Sequence, residues 1–289
     1  MEDKGRESVM LPFGFDYYRP KSLEEAVTRF QQADQSLKEP MYFSGATEFL
    51  TLGRINQVYT EAAIDLKGLS EGKIIQFDQG YLVLGANLTL TEIEEANVFP
   101  LLTSTSKEIA DHTARGKITL GGNICGQIFY REAVLPLLLA DSQMVMVGPE
   151  GIKVKPIHEI FHERLLLQRG EYLIQVATES RYLDAPFISI KRRQQWETGY
   201  PLITIAALIM ENKLRVAISG LCPFPFRSKE MEGALNNLEV SPQERIQNAL
   251  ASIPGPILHD VEGSSDYRLF VLENLLVDVC EALKFGERE

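Results

Sequence analysis

Two glycine turns carry the residues with the most chemical promise in this sequence. One is Ser44-Gly45-Ala46-Thr47-Glu48 and the other is Thr119-Leu120-Gly121-Gly122-Asn123. Each follows an apolar run that reads as a strand, Met41 to Ser44 for the first and Ile118 to Asn123 for the second. Glycine lets successive backbone N–H groups converge, and lets a phosphate approach without a Cβ in the way. A helix opening after the first turn would add partial positive charge. Such a pair can hold the diphosphate of a dinucleotide without any lysine, although a glycine turn is more often only a turn.

A second pattern, His158-Glu159-Ile160-Phe161-His162, matches HExxH. On a helix, histidines four apart share a face and can grip one zinc, with the glutamate as general base. That gives a zinc hydrolase as a remote alternative. The context favours a plain solvated turn, because Pro156 and the strand-like Ile152 to Val154 leave room for little helix. No GxxxxGK[ST] is present, and no GxGxxG follows a strand, which removes P-loop and ordinary Rossmann readings. Cys125, Cys222 and Cys280 are too far apart for a CxxC pair. Three cysteines neither close a disulfide framework nor supply a four-thiolate cluster. A reducing, cytoplasmic setting is expected.

Composition bounds these readings. The 289 residues suit two domains, and 45% hydrophobic with 24% charged residues is ordinary globular composition. The formal net charge is −11, from 40 acidic and 29 basic residues, which argues against nucleic acid and against an anionic membrane as partners. The run Ile203 to Met210 is too short to span a bilayer, and Met1 to Arg6 has no apolar stretch of signal-peptide type.

The elements needed to position the turns can be read from caps and periodicity. Ser22 to Glu25 is a capping box that opens a helix from Leu23 to about Gln32; Thr91 to Glu94 reads as another, and Ser241 to Glu244 as a third with proline at the first helical position. Strands are predicted at Ala62–Leu66, Tyr81–Ala86, Gln143–Val147, Ile152–Val154, Tyr172–Ala177 and Phe187–Lys191. Helices are predicted over Val98–Asp111, beyond a break at Pro100, and over Ala133–Asp141. Ile203–Met210 and Leu214–Ser219 form a hairpin, and Leu272, Leu275, Leu276, Val279, Cys280 and Leu283 mark one face of a last helix. The polar segment 177–186, ending in Pro186, is the expected boundary: domain 1–176, with sub-domains at about 1–67 and 68–176, and domain 177–289.

The second turn lies in a longer pattern. Ala114 to Ile124, reading ARGKITLGGNI, resembles the IRNxxTIGGNI stretch of the FAD-binding subunits of molybdenum hydroxylases, the flavoprotein family of xanthine dehydrogenase and CO dehydrogenase. Pro136 to Ala140 is similar to the family's PxLLAL helix, Pro20 to Ala26 to its PxSLEEA opening, and Gly45 to Glu48 to its GGTD turn. Arg215 to Gly220, with Pro225 to Arg227, resembles the vRiAlGgvaptPvR hairpin, and Ser265 to Arg268 the SaxYR helix start. The matching pieces run in order from about Tyr18 to Lys284.

The resemblance implies an α+β fold. Two α/β sub-domains would form a PCMH-type FAD-binding domain, followed by a C-terminal three-stranded antiparallel sheet with helices. It implies FAD as cofactor, held by Ser44, Gly45, Ala46, Thr47 and Glu48 from the first turn and by Thr119, Gly121, Gly122 and Asn123 from the second. Glu132 would meet the ribityl or adenosine side, Leu173 would pack on the isoalloxazine, and Lys191 would stand near its pyrimidine edge. From the residues alone, Lys191 to Arg193 could equally be a solvated strand end.

The implied function is an oxidoreductase subunit that passes electrons from the [2Fe–2S] clusters of a small partner to NAD or another acceptor. A molybdopterin-binding large subunit would do the hydroxylation. No catalytic acid or base and no metal site is expected in this chain. Two departures stand out. Ala46 replaces a glycine, which suits alanine only at negative φ. Ile128 to Arg131 are bulky where relatives carry small residues, which raises the alternative of a non-catalytic scaffold that has lost FAD.

Overall fold

The computed structural model describes residues 11–193 and 200–286. The chain opens on a small parallel sheet. β1 (Asp16–Tyr18), β2 (Met41–Phe43) and β3 (Ala62–Asp65) pair in the order β1-β3-β2, with α1 (Leu23–Gln35) and α2 (Thr47–Arg54) as the crossovers. Ser22 caps α1 as expected, its hydroxyl accepting the N–H of Glu25. Ala26 and Phe30 of α1 bury against Ile64 of this sheet and Tyr172 of the next.

A five-stranded antiparallel sheet follows. β4 (Ile75–Asp78), β5 (Tyr81–Gly85), β6 (Gln143–Gly148), β7 (Gly151–Pro156) and, after the small hairpin of β8 (Phe161–His162) and β9 (Arg164–Leu165), β10 (Tyr172–Glu179) pair in the order β4-β5-β10-β6-β7. Between β5 and β6 run α3 (Leu90–Ala96), α4 (Pro100–Ser106), α5 (His112–Arg115), α6 (Leu120–Cys125) and α7 (Val134–Leu139). All six residues of α7 are buried, as its unbroken apolar run requires. The four-residue α8 (Ile157–Ile160) joins β7 to β8.

The third unit is antiparallel: β11 (Phe187–Arg192), β12 (Ile203–Met210) and β13 (Lys213–Ser219), plus a two-residue edge strand β14 (Phe226–Arg227) beyond the three strands expected. It is followed by α9 (Lys229–Leu235), α10 (Pro242–Leu250) and α11 (Ser265–Ala282). This sheet is covered on both faces. Ala206 and Leu208 pack into the core that contains α7, while Ile203, Ile205 and Ala207 pack on Leu272, Leu275 and Leu276 of α11.

Four local expectations change. The strand predicted over Ile118–Asn123 is instead the cap and body of α6, because the Thr119 hydroxyl accepts the N–H of Gly122. The capping box sits at Thr89 and Glu92 rather than Thr91 and Glu94; Leu90 donates to the Ile118 carbonyl at 2.9 Å, and this tertiary bond picks the earlier of two overlapping patterns. The helix predicted over Val98–Asp111 stops at Ser106, and Asp111 caps α5 instead. β10 stays paired through Glu179, opposite Tyr81, so the expected division at 177 falls inside a strand and the connection between sheets is 180–186.

One charged knot joins the C-terminal sheet to α7. Asp141, just past the helix at φ 49°, accepts from Arg215 at 2.7 Å and from Arg227 at 2.8 Å. The same two guanidiniums donate to the Leu139 and Leu138 carbonyls at the helix C-terminus. Asp141→Ala should therefore cost about 2 kcal/mol of stability in urea unfolding, from two lost charge-assisted bonds and a left-handed alanine. Asp141→Asn, which tolerates that conformation and can still accept one bond, should cost less.

Candidate functional site

The first turn connects β2 to α2. A Cβ on Gly45 would collide with the carbonyl oxygen of Lys117 and stand 3.3 Å from the Thr119 nitrogen. The missing side chain is thus what lets the first turn lie directly on the backbone entering the second. Ala46 follows at φ 58°, in the left-handed region. The condition set by its side chain, a negative φ, is not met, and an L-residue there carries strain of about 1 kcal/mol. The Ser44 hydroxyl is buried and has no partner among the described residues.

The second turn is fixed from beneath. Leu120 and Gly121 donate their N–H groups to the Leu88 and Ala86 carbonyls, each at 2.8 Å. A Cβ on Gly121 would stand 2.9 Å from the Ala86 Cβ, so this turn too depends on close backbone approach. Asn123 is buried and accepts the Ala133 N–H at 3.1 Å through Oδ1, which ties α6 to the start of α7.

Glu48 closes the seam between the turns. Its carboxylate accepts the N–H of Gln127 at 2.9 Å and of Ile128 at 2.7 Å. Ser44–Glu48, Thr119–Gly122 and 126–128 are therefore one local structure built from three separate stretches of chain. Lys67 joins it unforeseen. Its Nζ donates to the Ser44 carbonyl at 2.9 Å, stands 3.1 Å from the Asp65 carboxylate and lies over the Phe43 ring. Only the parallel pairing of Phe43 with Asp65 brings this lysine to the first turn, and no local pattern signals that.

The remaining predicted residues lie elsewhere. Glu132 and Lys191 pair with each other at 2.7 Å, with side chains 3% and 5% exposed, and Lys191 also donates to the Glu108 carbonyl at 2.6 Å. The reading of Lys191 as a solvated strand end is overturned by that burial. Leu173 is buried in the main core, opposite Met146 and beside a register shift in β10. Cys125, at the end of α6, is exposed rather than packed.

The HExxH pattern does not form a helical face. α8 ends at Ile160 because Phe161 enters β8 and pairs with Leu165. His158 and His162 thus lie on a helical turn and a strand, His158 facing Asp141 at 3.9 Å and His162 the Glu159 carbonyl at 3.2 Å. Among the described residues no three His, Cys, Asp or Glu side chains group as a metal site.

Residues 13–177, holding both turns, match the family described as the FAD binding domain in molybdopterin dehydrogenase. The chain belongs to that family. Similar proteins include the carbon monoxide dehydrogenase medium chain of Hydrogenophaga pseudoflava, 24% identical over 275 residues that cover 90% of this chain and 93% of that one. The nicotinate dehydrogenase FAD-subunit of Eubacterium barkeri is also 24% identical, covering 95% and 99%. Among solved structures, carbon monoxide dehydrogenase from Hydrogenophaga pseudoflava aligns with a TM-score of 0.84 at 20% identity, over 96% of this chain and all of that one. Quinoline 2-oxidoreductase from Pseudomonas putida 86 aligns at 0.79 and 21% identity, over 94% and 96%. The family is one of oxidoreductase subunits with FAD as cofactor.

Gly45 and Gly121 let the two turns pack directly on the Lys117 backbone and on Ala86, and the Ser44 hydroxyl at the first turn is a buried donor without a partner among the described residues. Gly45→Ala should force the two backbones apart; overpacking of about 1–3 kcal/mol predicts roughly tenfold or greater loss of FAD affinity, read by flavin fluorescence, with the far-ultraviolet circular dichroism retained. Ala46→Gly should raise the thermal stability by about 0.5–1 kcal/mol, since relief of the left-handed strain outweighs the added chain entropy.

Proposed function

We propose that this chain is the electron-transfer subunit of a molybdenum hydroxylase complex working in the cytoplasm. It takes electrons from the [2Fe–2S] clusters of a small partner subunit and passes them to NAD or another acceptor. A molybdopterin-binding large subunit carries out the hydroxylation and selects the substrate. The observation that carries the reading is the contact of the two turns, Gly45 against Lys117 and Thr119, within the matched family segment. The names of its relatives, a medium chain and an FAD-subunit, support a place in a multi-subunit enzyme.

FAD supplies the redox chemistry when bound, accepting electrons singly or in pairs. The chain's own part is to bind and orient it. Backbone N–H groups of Gly45 to Glu48 and of Thr119 would hold the diphosphate, with the Ser44 hydroxyl as a further donor and the Lys67 ammonium opposing the negative charge, while the Leu120, Gly121 and Gly122 N–H groups, bonded to Leu88, Ala86 and Thr119, keep the second turn in place. On this reading Asn123 positions the second turn, and Leu173 gives the flavin ring an apolar floor. Glu132 and Lys191 stand as a buried pair on the ring's polar side, where the cation would favour a reduced, anionic ring. No residue has to act as general acid or base.

Phe129 and Tyr130, two of the bulky residues after the second turn, are engaged with the C-terminal unit, which supports retained FAD binding over a scaffold without cofactor. The Tyr130 ring stacks on Tyr200 with centroids 4.7 Å apart, and the Phe129 carbonyl accepts from the Ser219 hydroxyl at 3.4 Å. Purified protein should show a flavin absorption spectrum and release about one FAD per chain. Colourless protein that stays colourless with added FAD, alone and with its partner subunits, would overturn the proposal. Lys191→Met should destabilise the fold by about 3–5 kcal/mol by stranding the Glu132 carboxylate, and adding Glu132→Gln should recover part of that loss in the same unfolding assay.

A further inference from the structure

The C-terminal unit holds a cavity that plays no part in the flavin site. It lies between α9, α10 and α11 and has a volume of about 450 Å³. Every residue that lines it falls at position 235 or later, outside the matched family segment. Leu235, Ile246, Val277 and Phe285 give it apolar walls. Leu235, Ile246 and Phe285 are buried, while Val277 is 37% exposed and leaves the cavity open to solvent. A cavity of this size suits a small organic molecule.

One buried charge stands among these walls. Arg245 of α10 lines the cavity and is only 5% exposed. Its hydrogen bonding is far from complete. Nη1 reaches the Leu235 carbonyl at the end of α9 over a long 3.4 Å. Nε is sealed from water without a partner among the described residues, and Nη2 makes no hydrogen bond among them. A Cβ on Gly286 would stand 2.7 Å from Nη1 and 3.0 Å from Nη2, so the backbone there lies directly on the guanidinium. Two acids line the same cavity, and neither pairs with it: Glu273 accepts from the Gln247 amide at 2.7 Å, and Glu281 is exposed. A buried cation without a counter-charge is costly, and such groups are normally matched by an anion.

We propose that this cavity binds a monocarboxylic acid with a small apolar body, its carboxylate on Arg245 and its hydrocarbon part against Leu235, Ile246, Val277 and Phe285. The guanidinium fork matches a planar carboxylate, and the ligand supplies the counter-charge that the fold leaves out. The walls gain by covering hydrocarbon, which a bare inorganic anion does not offer. Glu273 and Glu281 repel a second negative charge, which disfavours dicarboxylates and phosphates. This site and the flavin site are separate, and neither reading depends on the other.

Full-length protein is titrated by calorimetry with octanoate, with octanamide (the same body without the charge) and with inorganic phosphate. Octanoate should bind about tenfold or more tightly than octanamide, and phosphate should neither bind nor compete. Arg245→Met should weaken octanoate by about tenfold to a hundredfold, the size of a hydrogen bond to a charged group, and leave octanamide within about twofold. The melting temperature of ligand-free Arg245→Met should hold or rise, because the variant removes an unmatched buried cation. If that variant does not fold, Val277→Asp, at a position partly open to water, should weaken octanoate by about tenfold through charge repulsion and spare the fold. Octanoate should leave the absorption spectrum of bound FAD unchanged. Wild-type protein that binds no octanoate, octanamide or phosphate binding as tightly as octanoate, unchanged octanoate binding in Arg245→Met or Val277→Asp, or displacement of FAD by octanoate would each overturn the assignment.

Discussion

The contact between two backbones at Gly45 and Lys117 governs the candidate site. Any side chain at position 45 would hold the first turn away from the second by its own radius. The first turn would then lose its seat on the backbone that enters the second. The surrounding structure maintains this approach from several directions. Gly121 bonds to Ala86 beneath the second turn, Thr89 bridges to Thr119, and Glu48 reaches across to Gln127 and Ile128. The left-handed Ala46 is the local cost of turning the chain so sharply between β2 and α2.

Buried charge organises the junction between the FAD-binding segment and the C-terminal sheet. Glu132 and Lys191 come from different units and are almost fully removed from water. Lys191, Thr204 and Ser219 stand in register across β11, β12 and β13, so one polar row of that sheet faces the segment 129–132. At another point Asp141 gathers Arg215 and Arg227. Desolvation offsets much of the attraction in such pairs, so their main effect is to penalise misalignment: a shifted sheet would strand a charge in the core. Apolar packing of Ala206 and Leu208 beside α7 supplies the cohesion, and the charged contacts fix the register.

Local signals were read from the sequence wherever a residue's partner is only a few positions away. The Ser22 and Ser241 caps formed as expected, because each hydroxyl meets an N–H three residues on. The buried face of α11 followed from its spacing, and the first turn from its glycine and the strand before it. The same reading failed where a distant group decided between local alternatives. Thr89 and Thr91 both head an acceptable capping pattern, and the bond from Leu90 to Ile118 selects the first. HExxH looked helical until Phe161 was drawn into a hairpin with Leu165.

The order of motifs along the chain indicated the family and the cofactor class by resemblance, and periodicity, caps and glycine turns, all short-range physics, indicated most elements. Tertiary structure alone decided which residues meet. Lys67 reaches the first turn through parallel strand pairing, Glu48 finds N–H groups some eighty positions away, and Glu132 finds its counter-charge on another sheet. These contacts depend on the relative placement of whole elements, which packing sets once the core has formed. A single chain carries no local trace of it.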